Sequence, residues 1–135
     1  MGGSIPSPGT TIKTMTFNSD KNRIDSLRFA FSGFYHAIST QKNFQIQLLI
    51  GLVVLLSAWI IGFNRIEWLV LIITIALVLT AELLNTVVEI VIDLAVKEKL
   101  LPDAKLAKDV SAAAVLLISI FAIAVGLILF LPHLL

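Results

Sequence analysis

Residues 43–64 form an unbroken run of 22 residues without one formally charged side chain. Folded as a helix, this run would be about 33 Å long at about 1.5 Å per residue, enough to cross a hydrocarbon core of about 30 Å. Gly62 lies near the end of the run, which closes with the polar residue Asn64, and Arg65 follows it. The pattern predicts a first membrane span over about residues 43–62 and a tight turn after it.

Two further apolar segments follow that turn. The second is free of charge from Trp68 to Ala81 and stays largely apolar beyond, which predicts a span over about residues 66–95. The third is free of charge from Val110 onward, which predicts a span over about residues 109–131. With 58% hydrophobic and 14% charged residues among 135, the chain is too apolar for a soluble domain of this size. We therefore expect an all-α integral membrane protein with three transmembrane helices.

A polar segment precedes the spans. Residues 1–20 carry Gly, Pro, Ser and Thr without periodicity and are interpreted as a flexible tail, outside a single domain of residues 21–135. Over about residues 23–40, six apolar residues recur at helical spacing: Ile24, Leu27, Phe31, Phe34, Tyr35 and Ile38. This pattern predicts an amphipathic helix on the membrane interface or a helix packed on the spans, and both can hold together.

The basic residues are distributed unevenly between the two sides of the predicted spans. Nine lie before the first span or between the second and third, and the hairpin between the first and second holds Arg65 alone. By the positive-inside rule, this multi-pass protein has its N-terminus in the cytoplasm and is expected in the cell's inner (plasma) membrane. The net charge of +1 shows no basic footprint for nucleic acid, so no nucleic-acid partner is expected.

Four polar residues interrupt the second span at positions that share one helix face. They stand at i, i+3, i+7 and i+11, within an arc of roughly 80° at about 100° per residue: Glu82, Asn85, Glu89 and Asp93. Acidic residues at membrane depth cost about 2.5 to 3.5 kcal/mol each, so they are kept with partners or for a function. On one reading, Glu82 and Glu89 pair with lysines of neighbouring helices and hold an assembly together.

The alternative reading is chemical. Carboxylates on this face would ligate Mg²⁺, which prefers hard oxygen ligands together with nucleotide phosphates, while another carboxylate acts on a substrate hydroxyl. Lys108, next to Asp109 on the helix that opens the third span, can supply a cation at similar depth. The sequence contains no cysteine, no Walker-type glycine-rich loop and no G-x-S-x-G elbow, so helices would have to build a nucleotide site.

Two motifs carry a resemblance to a known family. The first is the segment AELLNT at residues 81–86 followed by Glu89 and Asp93, and the second is AKD at residues 107–109 followed by Ser111. Together they resemble the signatures of the small bacterial diacylglycerol kinases and undecaprenol kinases, which are integral membrane lipid kinases. The resemblance covers about residues 23–135.

This resemblance implies a homotrimer with active sites between subunits at the cytoplasmic surface, using ATP as co-substrate and Mg²⁺ as cofactor to phosphorylate a membrane lipid alcohol. By position, Glu82 is the expected catalytic base or hydroxyl-orienting residue, and Glu89 is the expected metal ligand. The nucleotide site is expected at four further positions: Asn85, Asp93, Lys108 and Asp109.

One departure concerns Gln41, which stands where the family usually has a second metal-binding glutamate. A carboxamide oxygen can ligate a cation but brings no negative charge, so this chain either binds Mg-ATP differently or is a weakened kinase. Two other functions compete with a kinase. The chain could be a lipid-binding or scaffolding protein of the same fold, or a lipid phosphate phosphatase that uses the same metal.

Overall fold

The computed structural model describes residues 19–97, 99 and 101–135, and every regular element among them is an α-helix. The helices are α1 (Ser19–Thr40), α2 (Lys42–Ile61), α3 (Arg65–Val96) and α4 (Pro102–Leu134). Three of them, α2 to α4, are long and apolar enough to cross a membrane. The predicted all-α, three-span architecture is therefore confirmed. Residues 1–18 of the predicted tail lie outside the described residues.

Helix α1 begins at Ser19, about four residues before the predicted start, so the last two residues of the predicted tail are helical. Its apolar residues Ile24, Leu27, Phe31 and Tyr35 are all exposed. The helix ends at Thr40 because the backbone of the next residue is extended. A helix is thus present where the sequence predicts one, and its amphipathic, interfacial character stays a prediction.

The turn between α2 and α3 is tight because both helix ends are capped within it. Gly62 adopts a left-handed conformation (φ 89°, ψ 54°) that favours glycine, and its N–H donates to the Ala58 carbonyl. On the other side, Asn64 Oδ1 accepts from the Glu67 N–H at 2.9 Å, and Glu67 Oε1 accepts from the Asn64 N–H at 3.0 Å. Gly62 thus ends α2 and the reciprocal capping box starts α3, with three residues between the helices, so the tight turn that the sequence predicts is present.

Phe63 is the centre of the packing at the turn. Its ring, 7% exposed, stacks on His133 with ring centroids 5.1 Å apart and meets Phe130 at 4.8 Å. Trp68 approaches the same ring edge-on at 6.3 Å. The end of α4 is therefore packed against the α2–α3 turn.

Helices α3 and α4 run antiparallel in one register over most of their length. His133 contacts Glu67 near one end of the pair, and Lys108 forms an ion pair with Asp93 near the other. The two contacts are 26 residues apart in α3 and 25 residues apart in α4, so the two helices keep the same register between them. At about 1.5 Å per residue the contacts lie about 39 Å apart.

Helix α4 starts at Pro102, seven residues before the predicted third span. The prediction marked the limit of the apolar segment. The helix itself begins with Pro102 and has Asp103 in its first turn, and both residue types are favourable at a helix N-terminus. The helix therefore begins in the polar segment. The extra segment, about two helical turns, includes Lys105 and Lys108.

Most large apolar side chains on the three long helices are exposed, including Leu77 on α3 and Ile128 on α4. Water would not tolerate such a surface, and a bilayer does. Together with the lengths of the helices, this identifies a multi-pass membrane protein.

Candidate active site

The four polar residues of α3 differ in burial along the helix. Glu82 and Asn85 are buried, with 5% and 9% exposed, whereas Glu89 and Asp93 are exposed. The predicted polar face is therefore buried between the helices at Glu82 and Asn85 and exposed at Glu89 and Asp93, toward the C-terminal end of α3. A ligand can therefore reach this face at its exposed end, where Glu89 and Asp93 lie.

Asn85 and Glu89 form a hydrogen-bonded pair on this face. Asn85 Nδ2 donates to Glu89 Oε1 at 3.2 Å, one helical turn away. Asn85 Oδ1, the other polar atom of this amide, is buried and has no hydrogen-bond partner among the described residues. Because buried acceptors are normally paired, this oxygen is available to a donor or a cation supplied from outside.

Glu82 has a neutral partner on the neighbouring helix. The side-chain amide of Gln47 in α2 lies beside the Glu82 carboxyl group. Gly51, one turn further along α2, permits this approach, because a Cβ added there would lie 3.3 Å from Ile75 Cγ2. We did not predict a role for Gln47 from the sequence, although a carboxamide inside a charge-free span is a signal that could have been used.

Lys108 reaches the polar face from α4. Its ammonium group pairs with Asp93, so two residues predicted for the nucleotide site are in contact. Lys105 Nζ lies 2.7 Å from Asp109 Oδ2, one turn further along α4. The structure thus brings Asp93 and Lys108 together, and it places the predicted Asp109 beside Lys105 instead.

The described residues contain no group of three or more His, Cys, Asp or Glu side chains that could hold a metal ion. Gln41 lies at the N-cap of α2, and its amide donates to Thr40 Oγ1 at 3.4 Å. The oxygen atoms that could ligate a metal ion here are those of the Glu89 carboxylate and Asn85 Oδ1. This set fits Mg²⁺ carried in with nucleotide phosphates, which needs only one or two protein oxygens, and it does not fit an all-protein cage.

The fold and the polar face define a polytopic α-helical membrane protein with a polar site at one end of its helices. A family model described as prokaryotic diacylglycerol kinase matches residues 28–130. The chain therefore belongs to the prokaryotic diacylglycerol kinase family, and the resemblance drawn from its motifs is confirmed.

Two relatives illustrate this membership. The chain is 43% identical over 114 residues to a diacylglycerol kinase of Synechocystis sp., covering 84% of this chain and 65% of that protein. It is 33% identical over 121 residues to an undecaprenol kinase of Bacillus subtilis, covering 84% of this chain and 98% of that protein. The chain thus spans slightly less than two thirds of the first relative and nearly the whole of the second.

Proposed function

We propose that the chain is a lipid kinase that transfers the γ-phosphate of Mg-ATP to the hydroxyl of a membrane lipid alcohol at the cytoplasmic interface. One observation carries this proposal. The buried Glu82 and the Asn85–Glu89 pair lie on a single face of α3, and Lys108 of α4 reaches that face through Asp93. A base, a metal ligand and a cation are the groups that phosphoryl transfer requires.

Glu82 acts on the acceptor lipid. The hydroxyl oxygen attacks the γ-phosphorus, the bond from that phosphorus to the β-bridging oxygen breaks, and ADP leaves. The hydroxyl proton passes to the Glu82 carboxylate, beside which the Gln47 amide lies. Burial of Glu82 keeps competing water away from this step.

The exposed end of the polar face acts on the nucleotide. Glu89 and Asn85 would hold Mg²⁺, and the ion when bound would neutralise charge on the phosphates. Lys108 leaves Asp93 to contact the phosphates, and Asp93 and Asp109 position the nucleotide. On α4, the positions level with Glu89 in the α3–α4 register are Ser111 and Ala112, small residues that leave space there.

The active unit is proposed to be a homotrimer with sites between subunits. Among the described residues one chain supplies no metal cluster of its own. Helix α3 also exposes apolar residues at heptad-like spacing, which a second copy could cover: Ile66, Leu69, Ile73, Leu77, Leu84, Val87, Val91 and Leu94. A neighbouring subunit would then complete the ligand set around Glu89.

The protein is proposed to lie in the inner (plasma) membrane with its N-terminus in the cytoplasm. The distribution of nine basic residues against one supports this orientation. It would place Asp93 and Lys108 on the side where ATP is present, and the contact between Glu67 and His133 on the opposite side.

Transfer of labelled γ-phosphate from Mg-ATP to lipid tests the proposal. The purified protein would be offered diacylglycerol and undecaprenol in separate mixed micelles. Transfer to either lipid is the expected result and identifies the substrate. Absence of transfer to both, without restoration by Gln41→Glu, would favour a scaffolding protein of the same fold.

A further inference from the structure

One extended residue, Gln41, separates α1 from α2. Its backbone angles are φ −97° and ψ 104°, so the helical path is broken there. Backbone hydrogen bonds still reach across the break. The Gln41 N–H donates to the Ala37 carbonyl at 3.0 Å, and the Gln45 N–H donates to the Gln41 carbonyl at 3.0 Å. We call residues 37–45 the elbow, and they belong to one compact unit, residues 37–135.

A side-chain hydrogen bond spans the elbow. In an uninterrupted helix, the Ile38 carbonyl would accept the N–H of Lys42, four residues further on. Here the Ile38 carbonyl accepts the side-chain amide of Gln45, whose Nε2 lies 2.7 Å from the carbonyl oxygen. The first turn of α2 is thereby joined to the last turn of α1. Gln45 therefore supplies a donor where the extended residue interrupts the helical pattern.

The elbow is buried on both sides of Gln41. Ala37 is 2% exposed and Phe44 is 3% exposed, so one buried residue precedes Gln41 and another follows it. Gln41 itself is half-buried, and its amide donates to the neighbouring Thr40 Oγ1 at 3.4 Å, which is long for a hydrogen bond. The position of Gln41 is therefore set mainly by the backbone of the elbow.

The elbow lies at the level of the proposed metal site. A Cβ added at Gly51 would lie 3.3 Å from Ile75 Cγ2, so these two residues are opposite each other in the α2–α3 hairpin. Gln41 lies ten residues before Gly51, and Asn85 lies ten residues after Ile75, which places Gln41 level with Asn85. Any movement of the elbow along α3 therefore carries Gln41 away from that level.

We propose that Gln45 is a positioning residue: its hydrogen bond to the Ile38 carbonyl fixes the elbow, and the elbow keeps the Gln41 carboxamide level with Asn85. There the Gln41 oxygen serves the metal ion that arrives with the nucleotide. The role toward the metal ion rests on the proposed function, whereas the elbow itself does not. Gln45 contacts neither the metal ion nor the nucleotide and acts only through Gln41.

Amide hydrogen exchange of the full chain in micelles, without nucleotide or metal, tests the elbow. Exchange of the Gln41 N–H is followed by NMR. In Gln45→Met, which keeps the side-chain length and removes the donor, we expect about tenfold faster exchange, the effect of losing one hydrogen bond. Gln45→Lys keeps a donor of similar reach and is expected to exchange at the wild-type rate. Equal exchange in the wild type and Gln45→Met would overturn the proposal.

Thr74→Val is the matched control for this measurement. It removes another 2.7 Å hydrogen bond from a side chain to a carbonyl, between Thr74 Oγ1 and Val70 within α3. We expect the Gln41 N–H to exchange at the wild-type rate in this variant. Faster exchange in Thr74→Val, equal to that in Gln45→Met, would show a general loss of stability and would overturn the proposal.

Binding of a non-hydrolysable ATP analogue tests the role toward the metal ion. With Mg²⁺ present, we expect Gln45→Met to bind the analogue about threefold more weakly, since one neutral oxygen ligand is misplaced. With Mg²⁺ removed by a chelator, both proteins should bind it equally, whereas a merely structural role would weaken both affinities. In a Gln41→Ala background, Gln45→Met should have no further effect.

The two measurements separate this inference from the proposed function. An effect of Gln45→Met that persists in the Gln41→Ala background, or an unchanged affinity with Mg²⁺ present, would overturn the positioning role. A wild-type chain that binds no analogue with Mg²⁺ would overturn the proposed function and the positioning role together. The exchange rate of the Gln41 N–H would still decide whether Gln45 fixes the elbow.

Discussion

His133 Nε2 lies 2.6 Å from Glu67 Oε2, although 66 residues separate them in the chain. The contact joins the last turns of α4 to the first turn of α3, and the ion pair between Asp93 and Lys108 joins the same two helices near their other ends. These two contacts hold the register that places Lys108 on the polar face of α3.

Replacement of His133 by alanine is expected to destabilise the protein. The His133 ring is only 29% exposed, hydrogen-bonds Glu67 and stacks on Phe63, so its loss should cost about 1–3 kcal/mol. Thermal unfolding in detergent measures this effect. Ser57→Ala is the control, because that hydroxyl bonds only the Val53 carbonyl of its own helix. Equal unfolding temperatures for the two variants would contradict a role for the contact.

Glu82→Gln is expected to lower the rate of lipid phosphorylation by about 10²–10⁴-fold, because the amide cannot accept the hydroxyl proton. Nucleotide binding should be largely intact, since Asn85, Glu89 and Lys108 remain. Initial rates and the dissociation constant for Mg-ATP measure the two effects separately. A variant that phosphorylates lipid at the wild-type rate would show that Glu82 is not the base.

Gln41→Glu is expected to lower the Mg²⁺ concentration needed for half-maximal transfer. A carboxylate at the N-cap of α2 adds a charged oxygen ligand, and Glu89 is the only carboxylate assigned to the metal at present. Glu89→Gln should raise the Mg²⁺ requirement. Metal titrations of initial rate measure both variants. If Gln41→Glu leaves the titration unchanged, Gln41 does not contact the metal site.

Gly51→Ala and Gly126→Ala form a matched pair for helix packing. A Cβ at Gly51 would lie 3.3 Å from Ile75 Cγ2, whereas a Cβ at Gly126 meets no atom within 4 Å. We expect Gly126→Ala to be neutral or slightly stabilising, and Gly51→Ala to be destabilising by about 1 kcal/mol relative to it. Urea or thermal unfolding compares the two. If Gly126→Ala were less stable than Gly51→Ala, this description of the α2–α3 contact would be refuted.

The fold could be predicted because its determinants are local in sequence. The charge-free run of residues 43–64 and the Gly62, Asn64 and Arg65 at its end are sufficient to indicate a helical hairpin in a membrane. The first residue of α4 was harder to predict, because apolar composition marks the limits of a membrane span, whereas helix capping marks the limits of a helix. The prediction concerned the span, and the helix begins earlier at Pro102.

The polar site was predicted only in part. Spacing places Glu82, Asn85 and Glu89 on one face of one helix, which needs no tertiary information. The contacts of Gln47 with Glu82 and of His133 with Glu67 depend on how three helices align, and single-sequence periodicity carries no information about that alignment. The assigned roles of the site residues therefore stay predictions for the variants above.

Helix α2 has 20 residues against 32 in α3, lengths of about 30 Å and 48 Å. With Gly51 opposite Ile75, α2 begins level with Glu82 and Asn85, and α3 continues beyond it. A bilayer whose thickness matches α2 therefore leaves Glu89 and Asp93 in the headgroup region. In a thicker bilayer the same carboxylates are drawn toward hydrocarbon, so we expect the acyl-chain length of the host membrane to affect how readily the proposed site receives a charged nucleotide.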